Sequence, residues 1–250
     1  MSDRQYKKST VLKIKDCLRG ILKTMPLGRI IYPFFQKCWR AYAVPRRQRR
    51  LQRHGPVVLT HLHELMVNNQ VPYYCDYGTL IGFVRDKGFI KHDDDIDISI
   101  PPETIKPADV LKVFVDAGYG FVHGFKYEGR LLEFTVADVS GVTIDVFFPV
   151  NAVEPGMLHC YQPIWEPQRK YPNEKANTVI EYDFVGAKDI QIIQVVGAET
   201  FIPGNYDEVL TSEYGPWRVP DAKFNTVTDR IHRELPGFAF RVTKGEVLAM

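Results

Sequence analysis

Hydrophobic and polar positions alternate most strictly in this chain between Asp93 and Ile100. Successive side chains of a β-strand point to opposite faces, so Asp93, Asp95, Asp97 and Ser99 share one face and Ile96, Ile98 and Ile100 the other. One face suits a core; the other is acidic. The same two-residue period, enriched in β-branched and aromatic residues, predicts strands over 71–75, 95–100, 178–184 and 190–195. It also predicts a hairpin of 131–137 and 142–150, turned by Asp138-Val139-Ser140-Gly141. Apolar residues at helical spacing predict helices over 57–68, 107–117 and 206–214. Pro149, Pro155, Pro163, Pro167 and Pro172 punctuate a stretch read as irregular, in which Tyr161, Trp165 and Tyr171 are candidates to line a donor pocket.

Charge divides the chain. Up to His54 there are 15 basic residues against Asp3 and Asp16, giving +13; the remaining 17 basic and 28 acidic residues give −11, so the net +2 conceals two opposite parts. Within the basic part, Val11, Leu12, Ile14, Cys17, Leu18, Ile21, Leu22 and Met25 fall at helical spacing with lysines and arginines between them. A second apolar patch, Ile30 to Phe35, leads to Trp39 and then to Arg46-Arg47-Gln48-Arg49-Arg50. No apolar run approaches the eighteen or so residues of a membrane span. A basic amphipathic segment over 1–54 suits an anionic membrane surface, against the plainer reading of a helix packed on its own domain. Residues 55–250 form the second unit, long enough to bury a substantial core. Cys17, Cys38, Cys75 and Cys160 form no CxxC pair, and no secretory leader is evident. The expectation is reduced thiols in a reducing compartment and no structural zinc.

The acidic strand carries the chemistry. Four carboxylates fall within 93–97, and carboxylates two residues apart on a strand stand roughly 6.5 to 7 Å apart at the backbone, so their side chains can converge on one or two hard divalent cations. An EF-hand would need a glycine at the sixth loop position and a late glutamate, which Ile98 and the following prolines do not supply. A second strand, Val142 to Phe148, holds the single carboxylate of Asp145 among β-branched and aromatic residues, an expensive place for an unpaired charge. Upstream, Tyr73 to Cys75 break into Gly78-Thr79-Leu80-Ile81-Gly82, where a glycine followed by a hydroxyl residue lets backbone N–H groups approach a phosphate, with Arg85 and Lys87 close behind. Neither a GxGxxG loop nor a Walker A loop is present.

That order, Gly-Thr, then Asp-x-Asp on a strand, then a lone Asp on a later strand, resembles the nucleotidyltransferase superfamily. The segment DYGTLIGFVRDKGFIKHDDDIDISI resembles the signature of the LicD family, which includes bacterial phosphocholine transferases and the fukutin-related proteins. The matching positions are Gly78, Thr79, Leu80, Gly82, Arg85, Gly88, Phe89, Ile90, Asp93, Asp95 and Asp97, with Asp145 as the later aspartate. The stretch from Ile202 to Trp217 is similar to the family's closing element, so the resemblance covers about 57–220. Lys91-His92 stand where the family usually has Pro-Trp, and the cysteine cluster of the fukutin-related proteins is absent.

The resemblance implies a mixed α/β (α+β) nucleotidyltransferase-like sheet flanked by helices, behind the basic N-terminal segment. It implies metal-dependent transfer of a phospho-substituent from a CDP-activated donor, such as CDP-choline or a CDP-alditol, to a hydroxyl of a glycan or glycolipid, with CMP leaving. Asp95, Asp97 and Asp145 would hold Mg²⁺ or Mn²⁺, with Asp93 as a further ligand or supporting group. Gly78 and Thr79 would approach the donor phosphate, and Arg85 would counter its charge. No nucleic acid is expected as a partner, and the expected location is cytoplasmic, peripheral on the inner face of the cell membrane. Addition of a nucleoside monophosphate to a sugar or small molecule, or a catalytically silent glycan-binding or scaffolding subunit, are the competing readings.

Overall fold

The computed structural model describes residues 28–164, 170–173, 175–221, 224 and 229–250, without the side chains of 28–41. The amphipathic pattern at 11–25 and Trp165 lie outside the described residues. A long helix, α1 (Gly28–Asn68), comes first. Leu51, Val58, Leu59, Leu62 and Met66 are buried along it, a spacing that makes one apolar stripe. A proline inside a helix removes a backbone hydrogen bond and costs about 3 kcal/mol or more, so the local pattern stops at Pro56. Here burial of the stripe carries the helix through Pro45 and Pro56, and the charge boundary at His54 falls inside it. At Gly55 a Cβ would lie 2.7 Å from the ring of Phe89, so the glycine lets the helix settle against the loop that precedes the acidic strand.

A ten-stranded mixed sheet forms the body of the molecule. Its strands are β1 (Tyr74–Cys75), β2 (Asp95–Ser99), β3 (Gly120–Tyr127), β4 (Arg130–Ala137), β5 (Thr143–Phe147), β6 (Val150–Asn151), β7 (Met157–Ile164), β8 (Ala176–Val185), β11 (Arg233–Glu234) and β12 (Ala239–Val242). Their order is β1-β2-β5-β4-β3-β12-β8-β7-β6, with β11 on β8. Among the described residues β2 and β5 are the one parallel pair, joined through the helix Pro107–Asp116, α3, and the β3–β4 hairpin. The short helix α2 (Tyr77–Ile81) follows β1 and runs into a single wide π-helical turn, Gly82–Asp86. A separate hairpin, β9 (Ile190–Val195) and β10 (Ala198–Pro203), packs on α1 and β1. Helices α4 (Tyr206–Tyr214) and α5 (Lys244–Leu248) complete the described chain.

This is the mixed α/β sheet flanked by helices that the resemblance implies, and the alternation places its faces as expected. Ile96 and Ile98 are fully buried, each burial contributing about 1.5–3 kcal/mol, while Asp95 and Asp97 stand on the opposite face. The expected hairpin forms as β4 and β5, and Asp138 shapes its turn by accepting from Ser140 N, Ser140 Oγ and Val142 N at 3.0, 2.6 and 2.9 Å. Several elements depart from expectation. The stretch read as irregular contains an eight-residue strand: β7, over 157–164, pairs with β8 along its whole length. From Tyr161 to Ile164 β8 is its one bonded neighbour among the described residues, an edge position where Pro163 is tolerated. Strand β3 was hidden by Gly124, whose Cβ would stand 3.1 Å from the Glu133 carbonyl oxygen. No described helix is long and apolar enough to cross a membrane.

Candidate active site

Asp76 ties the first motif together. Its carboxylate caps α2 by accepting from the Tyr77 N–H at 2.9 Å, and it accepts from Ser99 Oγ on β2 at 2.6 Å. The chain then turns through Tyr77, whose φ of 48° lies in the left-handed region, a cost of order 1–3 kcal/mol that surrounding contacts must sustain. Gly78 follows because a Cβ there would stand 2.8 Å from Asp93 Oδ2 and 3.1 Å from Oδ1. Thr79 is fully buried, and its hydroxyl accepts from the Asp97 N–H at 2.8 Å. The hydroxyl therefore holds the acidic strand, and Gly78 faces the cavity in its stead.

Strand register gathers the carboxylates. Asp97 stands opposite Asp145 on parallel β5, and Asp145 stands opposite Thr135 on β4; side chains of paired residues share a face. Asp95 lies two residues earlier on that face. Thr135 Oγ1 donates to Asp145 Oδ1 at 2.6 Å, and His123 Nε2 lies 3.2 Å from the same hydroxyl oxygen. Since the threonine proton is committed to Asp145, His123 donates to Thr135 through Nε2. Neither Thr135 nor His123 has a signal in the sequence; register alone recruits them.

The electrostatics are those of a like-charged cluster without a counter-ion. Burial, then the charges of Asp145, Asp94 and Asp93, push Asp95 well above the usual carboxylate range; burial, then Asp95, Asp93 and Asp145, do the same to Asp97. Burial and Asp94 raise Asp93. Burial raises Asp145 too, against the opposing hydrogen bond from Thr135. Asp94 is drawn off to Arg47 at 2.5 Å. Asp93 Oδ2 is buried with no hydrogen-bond partner, a state that costs free energy until something positive or protic meets it. All-oxygen donors of this kind fit Mg²⁺, Mn²⁺ or Ca²⁺ and not zinc.

The acidic face opens into a cavity of about 550 Å³. Asp93, Asp97 and Gly78 line one part of it; Tyr77, Tyr182, Tyr214 and Arg230 line another. Glu133, on the same face as Thr135, also lines it, and burial followed by the Asp145 charge pushes its carboxyl up to about 8. Arg85 reaches the lining, but its guanidinium donates twice to Asp86, at 2.7 and 2.9 Å, and once to the Trp217 carbonyl at 3.1 Å. Tyr161 lines the cavity as expected; Tyr171 does not appear in its wall. Among the described residues the one group of three or more His, Cys, Asp or Glu whose ligand atoms all lie within 4.8 Å of one another is elsewhere, His159 on β7 with Glu181 and Asp183 on β8; the aspartates of β2 and β5 share a face without closing to that distance. Glu181 there already accepts from Arg233 at 2.6 Å, and His159 contacts Asp183.

Residues 70–188 match the family model for the LicD/FKTN/FKRP nucleotidyltransferase domain. An uncharacterised protein of Rickettsia prowazekii is 32% identical over 122 residues, 45% of this chain and 46% of that protein. Mouse ribitol-5-phosphate transferase FKTN is 32% identical over 78 residues, 31% of this chain and 17% of its own length. The lipopolysaccharide cholinephosphotransferase LicD of Haemophilus influenzae is 32% identical over 90 residues, 36% of this chain and 31% of its own length. The chain thus spans less than half the length of these curated relatives. A crystal structure of the lincosamide antibiotic adenylyltransferase LnuA with lincomycin overlaps 59% of this chain and 78% of its own at a TM-score of 0.34 and 14% identity. Through residues 70–188, just under half of its length, the chain is similar to the LicD/FKTN/FKRP nucleotidyltransferase domain.

Proposed function

We propose that this chain is a phosphotransferase that moves a phospho-substituent, of the phosphocholine or phospho-alditol kind, from a CDP-activated donor to a hydroxyl of a cell-surface glycan or glycolipid, releasing CMP. The observation that carries this reading is the gathering of Asp95, Asp97 and Asp145 on one face by strand register, beside Asp93 with its unpartnered Oδ2, at a cavity of about 550 Å³ whose wall includes Asp93 and Asp97. The names of the relatives supply the class of substituent, cholinephosphate in one and ribitol 5-phosphate in the other.

Asp95, Asp97 and Asp145 would hold Mg²⁺ or Mn²⁺, with Asp93 completing the set. A hard dication there supplies neutralisation of the charge on a pyrophosphate and orients it. The chain's own residues account for the remaining steps. Gly78 offers bare backbone at the acidic face, where the Asp93 carboxylate packs against it and a donor phosphate neutralised by the cation would approach. Arg85, steadied by Asp86, adds positive charge to the lining. The acceptor hydroxyl oxygen forms a bond to the phosphorus that carries the head group, the P–O bond to CMP breaks, and the hydroxyl proton passes to Asp97 or Asp145.

Outward-facing Arg46, Arg49 and Arg53 on α1 are exposed, and we assign them a peripheral contact with an anionic membrane face. By contrast Arg50 donates to the Gly141 carbonyl at 2.8 Å and Arg47 pairs with Asp94, so those two serve the protein's own body. The function is tested by incubating the protein with Mg²⁺ and a panel of CDP-linked compounds. Magnesium-dependent CMP formation is expected; release of pyrophosphate from a nucleoside triphosphate instead would overturn the reading in favour of nucleotidyl transfer.

A further inference from the structure

The wall of the cavity away from the carboxylates is a cage for a cation, and the chain fills it with its own side chain. Arg230 places its guanidinium carbon 4.6 Å from the ring centroid of Tyr214, 4.7 Å from that of Tyr182 and 5.5 Å from that of Tyr77. These are distances at which aromatic faces attract a cation. The cage is rigid. Tyr182 Oη donates to Tyr77 Oη at 3.1 Å, and Tyr77 Oη lies 3.0 Å from Cys160 Sγ. Arg230 Nε donates to the Glu213 carbonyl at 3.3 Å, and the Glu213 carboxylate, fully buried behind it, is 3.9 Å from Nη2. The arginine side chain is 5% exposed, lines the cavity, and leaves Nη2 without a hydrogen-bond partner. Gln162, also in the lining, leaves its Oε1 buried and unpartnered.

Aromatic cages of this shape are what bind quaternary ammonium groups. Here the aromatic faces already hold a guanidinium, and a second cation would meet both an occupied cage and a like charge in a dry wall. What the wall still lacks is an acceptor close enough to bond Arg230 Nη2, Glu213 standing at 3.9 Å, and donors for Gln162 Oε1 and for the two Glu213 carboxylate oxygens. A hydroxyl is both, whereas a trimethylammonium group is neither. Resting on the CDP-donor reading above, we infer that Arg230 is a specificity-determining residue which plugs the tyrosine cage and commits this site to a phospho-substituent with an uncharged polyhydroxylated head group, an alditol, in place of a quaternary ammonium.

Binding tests this without requiring turnover. With Mg²⁺ present, CDP-ribitol, CDP-choline and choline alone are titrated calorimetrically into the full chain, into Arg230→Ala and into Arg230→Lys. The expected result is that the wild type binds CDP-ribitol at least tenfold more tightly than CDP-choline and gives no heat with choline. Arg230→Lys should keep that preference, while Arg230→Ala should gain choline binding at least tenfold and lose preference for the ribitol donor. A wild type that binds CDP-choline as tightly as CDP-ribitol, or that binds neither, overturns the inference. If Arg230→Ala does not fold, the wild-type preference alone decides. The two readings fail separately: CMP release preferentially from CDP-choline would end this inference and leave the transferase standing, whereas selective binding of CDP-ribitol with no CMP release under any condition would do the reverse.

Discussion

Two regions face one cavity with opposite electrostatic designs. On β2, on β5 and just before β2 four carboxylates are crowded together, each pushed toward its protonated form by burial and, for Asp93, Asp95 and Asp97, by its neighbours, and Asp93 retains a buried oxygen with no partner. Around Arg230 the charge is compensated from within, by three tyrosine faces and by Glu213 behind. The first region is unstable as it stands and gains from a cation supplied from outside. The second has supplied its own. The difference separates the two tasks of a group-transfer site: one face is built to capture charge, the other to refuse it.

Breaking the acidic region should have the largest effect. Asp95→Asn and Asp97→Asn should each reduce CMP formation by at least a thousandfold at saturating Mg²⁺, yet leave the metal-free protein as stable as before or more so, because each removes one like charge from a buried cluster. Turnover and chemical denaturation measured on the same preparations check this; near-native turnover, or a marked loss of metal-free stability, would show that these carboxylates serve the fold.

Asp145 and Asp138 sharpen the contrast, since one hairpin carries both. Asp145→Ala should lower turnover by orders of magnitude and weaken activation by Mg²⁺. Asp138→Ala should instead cost about 1–3 kcal/mol of stability by stripping the turn of its acceptor, with the metal dependence unchanged. The double variant Asp95→Asn with Asp145→Asn should be little worse than either single change, because the site has already failed. Losses that multiply would mean that the two carboxylates act independently.

A smaller effect is expected at Thr135. Its hydroxyl touches Asp145 and no part of the proposed substrate position, so Thr135→Val should weaken Mg²⁺ activation by about 10- to 100-fold, the usual reach of a group that orients a ligand. Titrating turnover against Mg²⁺ reads this directly, and an unchanged activation curve would show that the 2.6 Å bond is incidental. The smallest effect belongs to the outer face of α1. Reversing Arg46, Arg49 and Arg53 to Glu should weaken sedimentation with anionic liposomes by about 1 kcal/mol for each charge removed, and more so at low salt. This tests the surface without deleting residues up to His54, which would also remove Leu51 from the core and Arg47 and Arg50 from their partners.

The two regions also differ in how far the amino-acid sequence reveals them. The acidic face comes from two short strands: alternation puts Asp95 and Asp97 on one face, and Asp145 stands out as a lone carboxylate among apolar residues, while the pairing that sets it opposite Asp97 is seen only in the register. The tyrosine cage takes Tyr77, Tyr182, Tyr214 and Arg230 from four distant segments; Tyr77 and Tyr214 fall in the two stretches that resemble the family, but nothing local joins them to each other, to Tyr182 or to Arg230. Thr79 shows an intermediate case: its position in the motif is legible, but its hydroxyl turns out to hold the Asp97 backbone. The long helix was hidden for a physical reason too, since prolines locally forbid what the buried stripe sustains.

The central claim is that the β2–β5 carboxylates, and not the half-buried His159–Glu181–Asp183 group, hold the catalytic cation. Calorimetric titration of Mn²⁺ into the wild type, Asp97→Asn and His159→Ala tests it most directly. Binding should be lost or weakened at least a hundredfold in Asp97→Asn and unchanged in His159→Ala; retention in the first with loss in the second would contradict the account.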